Sequence, residues 1–198
     1  LAGGEAVPKD LAESLLTKCY KVWNGYGPTE TTIYATFKEV NWGNLAELYN
    51  QNCIPIGKPN PNVEIMVLDE QLQLAPIGVP GELYIGGPGV ARGYLNRPEL
   101  SNISFVNGRK LNEEAGSGIW YKTGDLVKLL PNGDIDFLGR IDNQVKIRGF
   151  RIELGEIEAA IKQFNEIDQC AVLVQTSSTS NSILVGYLKM KTGFVNHL

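Results

Sequence analysis

The sequence predicts a chain of mixed α/β and α+β class, divided into two domains near Asp142. Two observations predict it. From about residue 54 onward, short strands lie between glycine and proline turns, a spacing that suggests a small barrel or sandwich-like layer. After Asp142 come a hairpin, an amphipathic helix and two further strands, and this order is that of an α+β unit.

The first 53 residues begin with a strand that enters a glycine turn. Apolar residues at helical spacing, including Leu11, Leu15 and Leu16, then predict a helix that has Pro8 in its first turn. The elements predicted here are, in order, a strand at 1–5, a helix at 8–19, strands at 21–23 and 32–38, and a loop at 41–52 with a short helix near 45–49.

The remaining elements are predicted mainly as short strands. Asn132 and Gly133 form a strong hairpin signal between two of them, and Gly149 centres a second hairpin. The predicted set is strands at 63–68, 82–85, 126–130 and 135–138, the hairpin at 145–152, a helix at 156–164, an exposed and mobile loop at 176–182, and strands at 170–174 and 183–188.

Composition excludes several classes of function. The formal net charge of −4 argues against non-specific nucleic-acid binding. No apolar run approaches the ~18 residues that span a bilayer, and no signal peptide is recognisable, so we expect no membrane association. The 3 cysteines are widely spaced, which favours a reduced, cytoplasmic location, and the only histidine, His197, excludes histidine triads. A predicted strand stands near each end of the chain, so we expect the chain to be a piece of a larger protein.

The most informative segment is Asn24-Gly25-Tyr26-Gly27-Pro28-Thr29-Glu30. Its glycines permit a tight turn and a close approach to the main chain, and Pro28 prevents a helix from running through it. Such a turn suits a nucleotide: Tyr26 can stack on a base, Thr29 can contact phosphate oxygens, and Glu30 can bind Mg²⁺. Taken alone, the segment also fits an ordinary surface loop.

Two further segments contain charged residues of interest. Asp125, in Thr123-Gly124-Asp125, is suited to accept hydrogen bonds from a ribose diol, although a turn aspartate that caps its own backbone is the commoner case. The cations of segment 139–158 are closely followed by acids, which favours an ion-paired surface over a nucleic-acid footprint. The glycine-rich run 86–93 lacks a phosphate-loop signature and is interpreted as a turn.

Together these motifs resemble the amino-acid adenylation domains of non-ribosomal peptide synthetases, within the acyl/aryl-CoA ligase and luciferase superfamily. The matching segments occur in the family's order and cover almost the entire chain: NGYGPTET at 24–31, GELYIGGPGVARGYLNRPEL at 81–100, YKTGD at 121–125 and GRIDNQVKIRGFRIELGEIE at 139–158. Leu154 stands where acyl-CoA ligases usually have a proline, which favours the peptide-synthetase branch.

The resemblance implies a fold and a domain organisation. Residues 1–141 would be the C-terminal part of the large adenylate-forming core, comprising a remnant of its parallel sheet and a small distorted β-barrel. Residues 142–198 would be the truncated start of the small, mobile C-terminal α+β domain. The family's phosphate loop and its aspartate for the substrate amino group would lie upstream of Leu1.

The resemblance also implies a role for each matching residue. Thr29 would contact the α-phosphate and Glu30 would bind Mg²⁺, so these two are the catalytic candidates. Asp125 would hold the ribose hydroxyls beside Arg140. The adenine would stack on Tyr26, and the other residues of the ATP site would be Asn24 and Gly25 at the edge of the base, Gly27 and Pro28 in the turn, and Phe137 packed near the base.

The remaining implied roles concern the amino acid and the second half-reaction. Asp142 would be the hinge of the small domain, and the hairpin around Gly149 would face the carrier-protein pantetheine. Gly3 and Gly25 would leave space for the amino-acid side chain. The residues at the positions that line the family's amino-acid pocket are Leu1, Gly3, Gly25, Ile33 and Tyr34.

The function implied is ATP-dependent activation of an amino acid as aminoacyl-AMP, followed by transfer to a carrier-protein phosphopantetheine thiol. ATP and Mg²⁺ are the expected cofactors, and a peptidyl carrier protein and neighbouring synthetase domains the expected partners. Two alternatives remain open at this point. One is an acyl- or aryl-CoA ligase, and the other is an isolated, non-catalytic fragment or interaction module.

Overall fold

A computed structural model describes residues 1–48, 53–111, 113, 115–142, 144–147, 150–176 and 182–191. The chain divides into two compact units, Leu1–Ile141 and Asp142–Leu198, each with its own internal contacts. No helix within the described part of the chain is long and apolar enough to cross a membrane. The predicted mixed fold class is confirmed, since short helices alternate with sheets in both units.

The first unit begins with a mixed four-stranded sheet. Its strands, β1 to β4, lie side by side in sequence order; β1 runs parallel to β2, and the other pairs are antiparallel. Helix α1 connects the two parallel strands, and this is the only parallel pair among the described strands. The elements are β1 Ala2–Gly3, α1 Lys9–Leu16, β2 Val22–Tyr26, β3 Thr36–Val40 and β4 Lys58–Pro59.

Helix α1 confirms the predicted amphipathic helix but is shorter than 8–19. Ala12 and Leu16 are buried, whereas Leu11 is largely exposed, so one face of the helix packs inward. The buried face joins Val22 and Val40 of the sheet in one apolar cluster. That cluster packs α1 against β2.

The strand predicted at 32–38 is wrong in its first half. Thr32 and Ile33 both have left-handed backbones, with φ angles of 63° and 72°. These angles are uncommon for β-branched residues and reverse the chain direction. Strand β3 therefore starts only at Thr36, and the apparent alternation before it belongs to a turn.

The second sheet of this unit has five antiparallel strands. Its order is β5–β6–β8–β7, and β9 also pairs with β8, so β8 contacts three neighbours. Helix α2 and strand β7 were not predicted, although Pro98 occupies a favoured first-turn position of α2. The elements are β5 Glu64–Leu68, β6 Gly81–Gly86, α2 Pro98–Ser104, β7 Phe105–Asn107, β8 Ile119–Leu129 and β9 Ile135–Arg140.

An apolar core joins the two sheets. Tyr26 and Ala35 pack in one buried cluster with Leu83, Val127 and Ile135. Because Tyr26 is the last residue of β2 and Val127 lies in β8, this core brings the end of β2 against the middle of β8. The two motifs that contain Tyr26 and Asp125 therefore meet.

The second unit contains two hairpins and a helix. Strands β10 Gln144–Ile147 and β11 Phe150–Glu153 pair as predicted, while Gly149 itself lies outside the described residues. Helix α3 Leu154–Ile161 starts two residues earlier than predicted. The strands β12 Ile167–Thr176 and β13 Ser182–Met190 form a long antiparallel pair, and most of the loop predicted between them, 177–181, is outside the described part.

Candidate nucleotide-binding site

The segment after β2 forms a tight turn. Pro28 is extended, Thr29–Thr31 make one 3₁₀ turn, and the chain returns so that the Ala35 N–H donates to the Tyr26 carbonyl oxygen at 2.8 Å. A Cβ on Gly27 would lie 2.6 Å from the Ile33 carbonyl oxygen, so only glycine fits there. This turn leaves Thr29 exposed beside the buried Glu30.

A polar network joins Tyr26, Asp125 and Arg140. The Tyr26 hydroxyl donates to Asp125 Oδ2, and Arg140 Nη1 donates to Asp125 Oδ1 at 2.9 Å. Asp125 is only 5% exposed, and the ion pair with Arg140 compensates the burial of its carboxylate. The network therefore connects the end of β2 to the β8–β9 hairpin, whose Asp125 lies 99 positions further along the sequence.

The backbone around Asp125 explains why the carboxylate faces Tyr26. Gly124 has a φ of 72°, and its N–H donates to Glu82 Oε1 at 3.1 Å. The Asp125 N–H donates to Thr123 Oγ1, whose hydroxyl in turn donates to the Leu83 carbonyl oxygen. Asp125 and Arg140 are also direct partners in the β8–β9 register.

The environment of Tyr26 keeps its phenol protonated. Burial, and secondly the negative charge of Asp125, hold the pKa of Tyr26 well above 10.0. The ring centroid of Phe137 lies 6.5 Å from that of Tyr26, with 38° between the planes. Tyr26 thus presents a neutral donor to Asp125 and has an aromatic neighbour beside it.

Glu30 is held by a residue that sequence reasoning did not single out. The Tyr94 hydroxyl donates to Glu30 Oε1 at 2.6 Å, across 64 positions of sequence. Burial, followed by the hydrogen bonds to Glu30 and Tyr121, raises the pKa of Tyr94, so it remains a neutral donor. Tyr94 lies inside the segment 81–100, but nothing in that segment's local pattern indicated a contact with Glu30.

Asn24 is anchored to the backbone that precedes β4. Its side-chain amide donates to the carbonyl oxygens of Ile54 at 3.1 Å and Pro55 at 3.0 Å, and the residue is buried. Both amide protons therefore tie β2 to the segment that precedes β4. The expected place of Asn24 at the edge of the base stays a prediction.

The five residues expected to line the amino-acid pocket are only partly brought together. Gly3 and Gly25 are register partners on β1 and β2. A Cβ on Gly25 would lie 2.9 Å from the ring of Tyr34 and 2.7 Å from that of Phe37. The space expected above Gly25 is therefore already filled by two aromatic rings, whereas Leu1 and Ile33 are largely exposed.

Asp142 is the first residue of the second unit. Its carboxylate accepts a hydrogen bond from the Gln144 N–H at 3.1 Å, which caps the start of β10. The residue is exposed. Gly149, the other residue expected to act in the second half-reaction, lies outside the described residues.

The residues near Glu30 fit a magnesium ion that takes most of its ligands from a nucleotide and water. Within the described residues, no group of three or more acidic, cysteine or histidine side chains could form a complete protein cage. Mg²⁺ in nucleotide sites is usually bound through one or two carboxylates plus phosphate oxygens. Glu30 offers a carboxylate of that type.

Comparisons with known proteins identify the relatives of this chain. A family model described as AMP-binding enzyme matches residues 1–95. Tyrocidine synthase 3 from Brevibacillus parabrevis is 45% identical over 190 residues, which is 94% of this chain and 3% of that protein. Bacitracin synthase 3 from Bacillus licheniformis is 41% identical over 191 residues, or 95% of this chain and 3% of that protein. This chain therefore spans a small fraction of these curated relatives.

Solved structures give the same result. An artificially fused adenylation–PCP di-domain synthetase protein, NpsA-ThdA from Klebsiella oxytoca, is 26% identical with a TM-score of 0.80, over 98% of this chain and 35% of that one. The adenylation domain AlmE from Vibrio cholerae, in complex with glycyl-adenosine-5'-phosphate, is 31% identical with a TM-score of 0.79, over 94% and 34%. This chain belongs to the AMP-binding, adenylate-forming family, as part of an adenylation domain of the non-ribosomal peptide synthetase type.

Proposed function

We propose that the protein containing this chain activates an amino acid with ATP as aminoacyl-AMP and passes it to the phosphopantetheine thiol of a peptidyl carrier protein. The observation that carries the proposal is the network in which Tyr26, at the end of β2, meets Asp125 and Arg140 of the β8–β9 hairpin. A carboxylate held between a neutral donor and a cation remains an acceptor suited to a ribose diol.

The comparisons support each partner of this reaction. AlmE was solved with glycyl-adenosine-5'-phosphate, which is the type of intermediate proposed here. NpsA-ThdA combines an adenylation domain with a carrier protein, which supports transfer to a carrier and the presence of neighbouring synthetase domains. The whole protein's activity and partners are inferred from these relatives.

The site residues divide the binding of ATP among them. The base would stack on Tyr26 with Phe137 packed near it, and Asp125 would accept hydrogen bonds from the ribose, with Arg140 alongside. Thr29, exposed on its turn, would donate to the α-phosphate. Glu30 would hold Mg²⁺, which when bound supplies charge neutralisation at the phosphates.

The chemistry requires no nucleophilic side chain. A carboxylate oxygen of the amino acid attacks the α-phosphorus, the bond to the β-phosphate oxygen breaks, and pyrophosphate leaves. The carrier thiol, after losing its proton, then attacks the aminoacyl carbonyl carbon, and AMP leaves as the thioester forms. This chain's residues therefore act by positioning the reactants and balancing charge.

The pocket and hinge residues retain their expected roles as proposals. Tyr34 and Gly25 would contact the amino-acid side chain, and the rings above Gly25 make that part of the pocket shallow. Leu1, Gly3 and Ile33 would complete it. Asp142 would be the hinge, which its place at the boundary between the two units supports, and the hairpin containing Gly149 would face the pantetheine.

The proposal extends to the cellular location and to the activity of the chain by itself. Three free cysteines, Cys19, Cys53 and Cys170, support a reduced, cytoplasmic location. Because a phosphate-loop signature is not found among its residues, we expect the 198-residue chain alone to be inactive. A pyrophosphate-exchange assay on it would show no amino-acid-dependent signal.

The decisive experiment is ATP–pyrophosphate exchange by the synthetase that contains this chain. Asp125→Asn removes the charge that holds the ribose and should lower exchange at limiting ATP by at least about tenfold, since one charged hydrogen bond contributes about 1.5–3 kcal/mol. The matched control is Asp10→Asn, which changes an exposed aspartate at the start of α1. Wild-type exchange in Asp125→Asn would contradict the nucleotide site.

A second assay separates this proposal from a CoA ligase. In one reaction the synthetase is incubated with ATP, amino acids and a phosphopantetheinylated carrier protein. In the other it is incubated with ATP, fatty acids and free CoA. Loading of the carrier protein supports the proposal. Exclusive formation of acyl-CoA would replace it with the ligase function.

A further inference from the structure

We propose that Tyr94 is a positioning residue that orients the carboxylate of Glu30 for the metal ion; the inference rests on the proposed function of Glu30. The Tyr94 hydroxyl lies 2.6 Å from Glu30 Oε1. The contact is partly buried, and it joins the turn after β2 to the loop between β6 and α2.

Tyr94 is itself held firmly. Its N–H donates to Ser101 Oγ at 2.8 Å, so the start of α2 fixes its backbone. Its ring meets Phe105 edge-on at 5.2 Å, and Phe105 packs against Tyr121 at 5.3 Å. Aromatic pairs at these distances stabilise one ring orientation. The packing of Phe105 against the Tyr94 ring therefore holds the hydroxyl toward Glu30.

The main chain around Glu30 is fastened to the same loop. The Ala91 N–H donates to the Glu30 carbonyl oxygen at 2.8 Å, and the Thr32 hydroxyl donates to the Gly89 carbonyl oxygen at 2.7 Å. The glycine-rich run 86–93 is thus joined to the turn after β2 by these two hydrogen bonds. This contact gives a use to a segment that has no phosphate-loop signature.

The chemical consequence concerns the freedom of the Glu30 carboxylate. A glutamate side chain has three rotatable torsions, and a neutral donor on one oxygen restricts them while leaving the negative charge in place. Metal-ligating carboxylates are commonly held in this way, and loss of such a partner typically lowers metal affinity by about 10–100-fold. Tyr94 has the geometry of such a partner.

The test uses the intact synthetase and Tyr94→Phe, which removes only the hydroxyl. Mn²⁺ binding in the presence of α,β-methylene-ATP is measured by electron paramagnetic resonance. We expect Mn²⁺ affinity to fall about tenfold. Exchange activity should recover at high Mg²⁺, and the KM for the amino acid should stay unchanged. The matched control, Tyr84→Phe, removes a hydroxyl that lies 3.5 Å from a different carboxylate, Glu82.

A double-mutant cycle makes the result decisive. If Tyr94 acts through Glu30, Tyr94→Phe should not weaken Mn²⁺ binding further once Glu30→Gln is present. Additive effects, or wild-type Mn²⁺ affinity in Tyr94→Phe, would overturn the role of Tyr94. Wild-type Mn²⁺ affinity in Glu30→Gln would instead remove the metal role of Glu30 on which the inference rests. Thermal unfolding of each variant establishes that the fold is retained.

Discussion

Gly3 and Gly25 face each other across parallel strands so closely that a Cβ on Gly3 would lie 2.2 Å from the Gly25 carbonyl oxygen. Gly3 permits the close approach of β1 to β2, and Gly25 permits the rings of Tyr34 and Phe37 to pack against β2. The two glycines do not leave an empty space, as the sequence alone had suggested. The packing around them is therefore sensitive to the smallest added group.

We predict that Gly25→Ala destabilises the protein by about 1–3 kcal/mol, the usual effect of overpacking. The new methyl would lie 2.7 Å from Phe37 Cε1, so at least one ring must move. Phe37→Leu in the same chain should recover part of the loss. Urea denaturation measures both, and Gly118→Ala is the control, because nothing lies within 4 Å of its added Cβ. Equal effects at the two glycines would refute the packing argument.

The ion pair between Lys38 and Asp134 should be important for stability. Their charged atoms lie 2.5 Å apart, and the side chains are only 17% and 4% exposed. Lys38→Met leaves a buried carboxylate without its cation and should cost about 3 kcal/mol. Lys9→Met, which removes a more exposed helix pair, should cost about 0.5 kcal/mol or less. Chemical denaturation that gives similar values for both would contradict this ranking.

Tyr26 predicts a loss of stability at alkaline pH. Its folded pKa is raised well above 10.0, so the unfolded chain loses this proton first. The contribution of the protonated Tyr26 to the free energy of unfolding is fully present below about pH 10. It declines as pH rises through the folded pKa, by up to about 1.4 kcal/mol per pH unit. Tyr26→Phe should show a shallower decline between about pH 10 and 12 in urea denaturation. An unchanged slope would mean that Tyr26 ionises normally in the folded protein.

Phe137 should contribute to ATP affinity without contributing charge. Phe137→Leu removes the aromatic face 6.5 Å from Tyr26 and should weaken ATP binding by at least about 1 kcal/mol, the lower range for stacking on a base. Calorimetric titration of the synthetase with ATP measures the change. Phe150→Leu, at an exposed position in the second unit, serves as the control. A larger effect at Phe150 would disprove the assignment.

The sequence predicted the elements whose signals are local. Asn132 and Gly133 predicted the hairpin between β8 and β9, where the Gly133 N–H donates to the Leu130 carbonyl oxygen at 2.9 Å with a φ of 82° at Gly133. The periodicity of α1 was equally clear. By contrast, the left-handed angles of Thr32 and Ile33 are held by contacts outside the segment, so periodicity misassigned that segment.

The candidate site was predictable in composition but not in its contacts. Tyr26, Glu30 and Asp125 belong to recognisable motifs, so they could be named from the sequence. Arg140 was expected beside Asp125, 15 positions away, but the contacts of Tyr26 with Asp125 and of Tyr94 with Glu30 arise from packing across 99 and 64 positions, which no short-range pattern encodes. The hydrogen bonds of the Asn24 amide to the Ile54 and Pro55 carbonyl oxygens, 30 and 31 positions away, were likewise not predictable from its motif.

Strand β8 sets a distance that no loop could maintain as reliably. Tyr121, which supports the ring behind Tyr94, and Asp125, which contacts Tyr26, lie four residues apart on this one strand. Between them the strand is bulged, since Tyr84 of β6 pairs with Lys122 and Glu82 with Leu126, and Gly124 has a φ of 72°. The separation between the residues proposed for the phosphates and for the sugar is thus set by this bulge, which pairing with β6 and β9 holds in place. Grafting a foreign pocket lining into this scaffold should leave that separation intact, provided that β8 remains continuous.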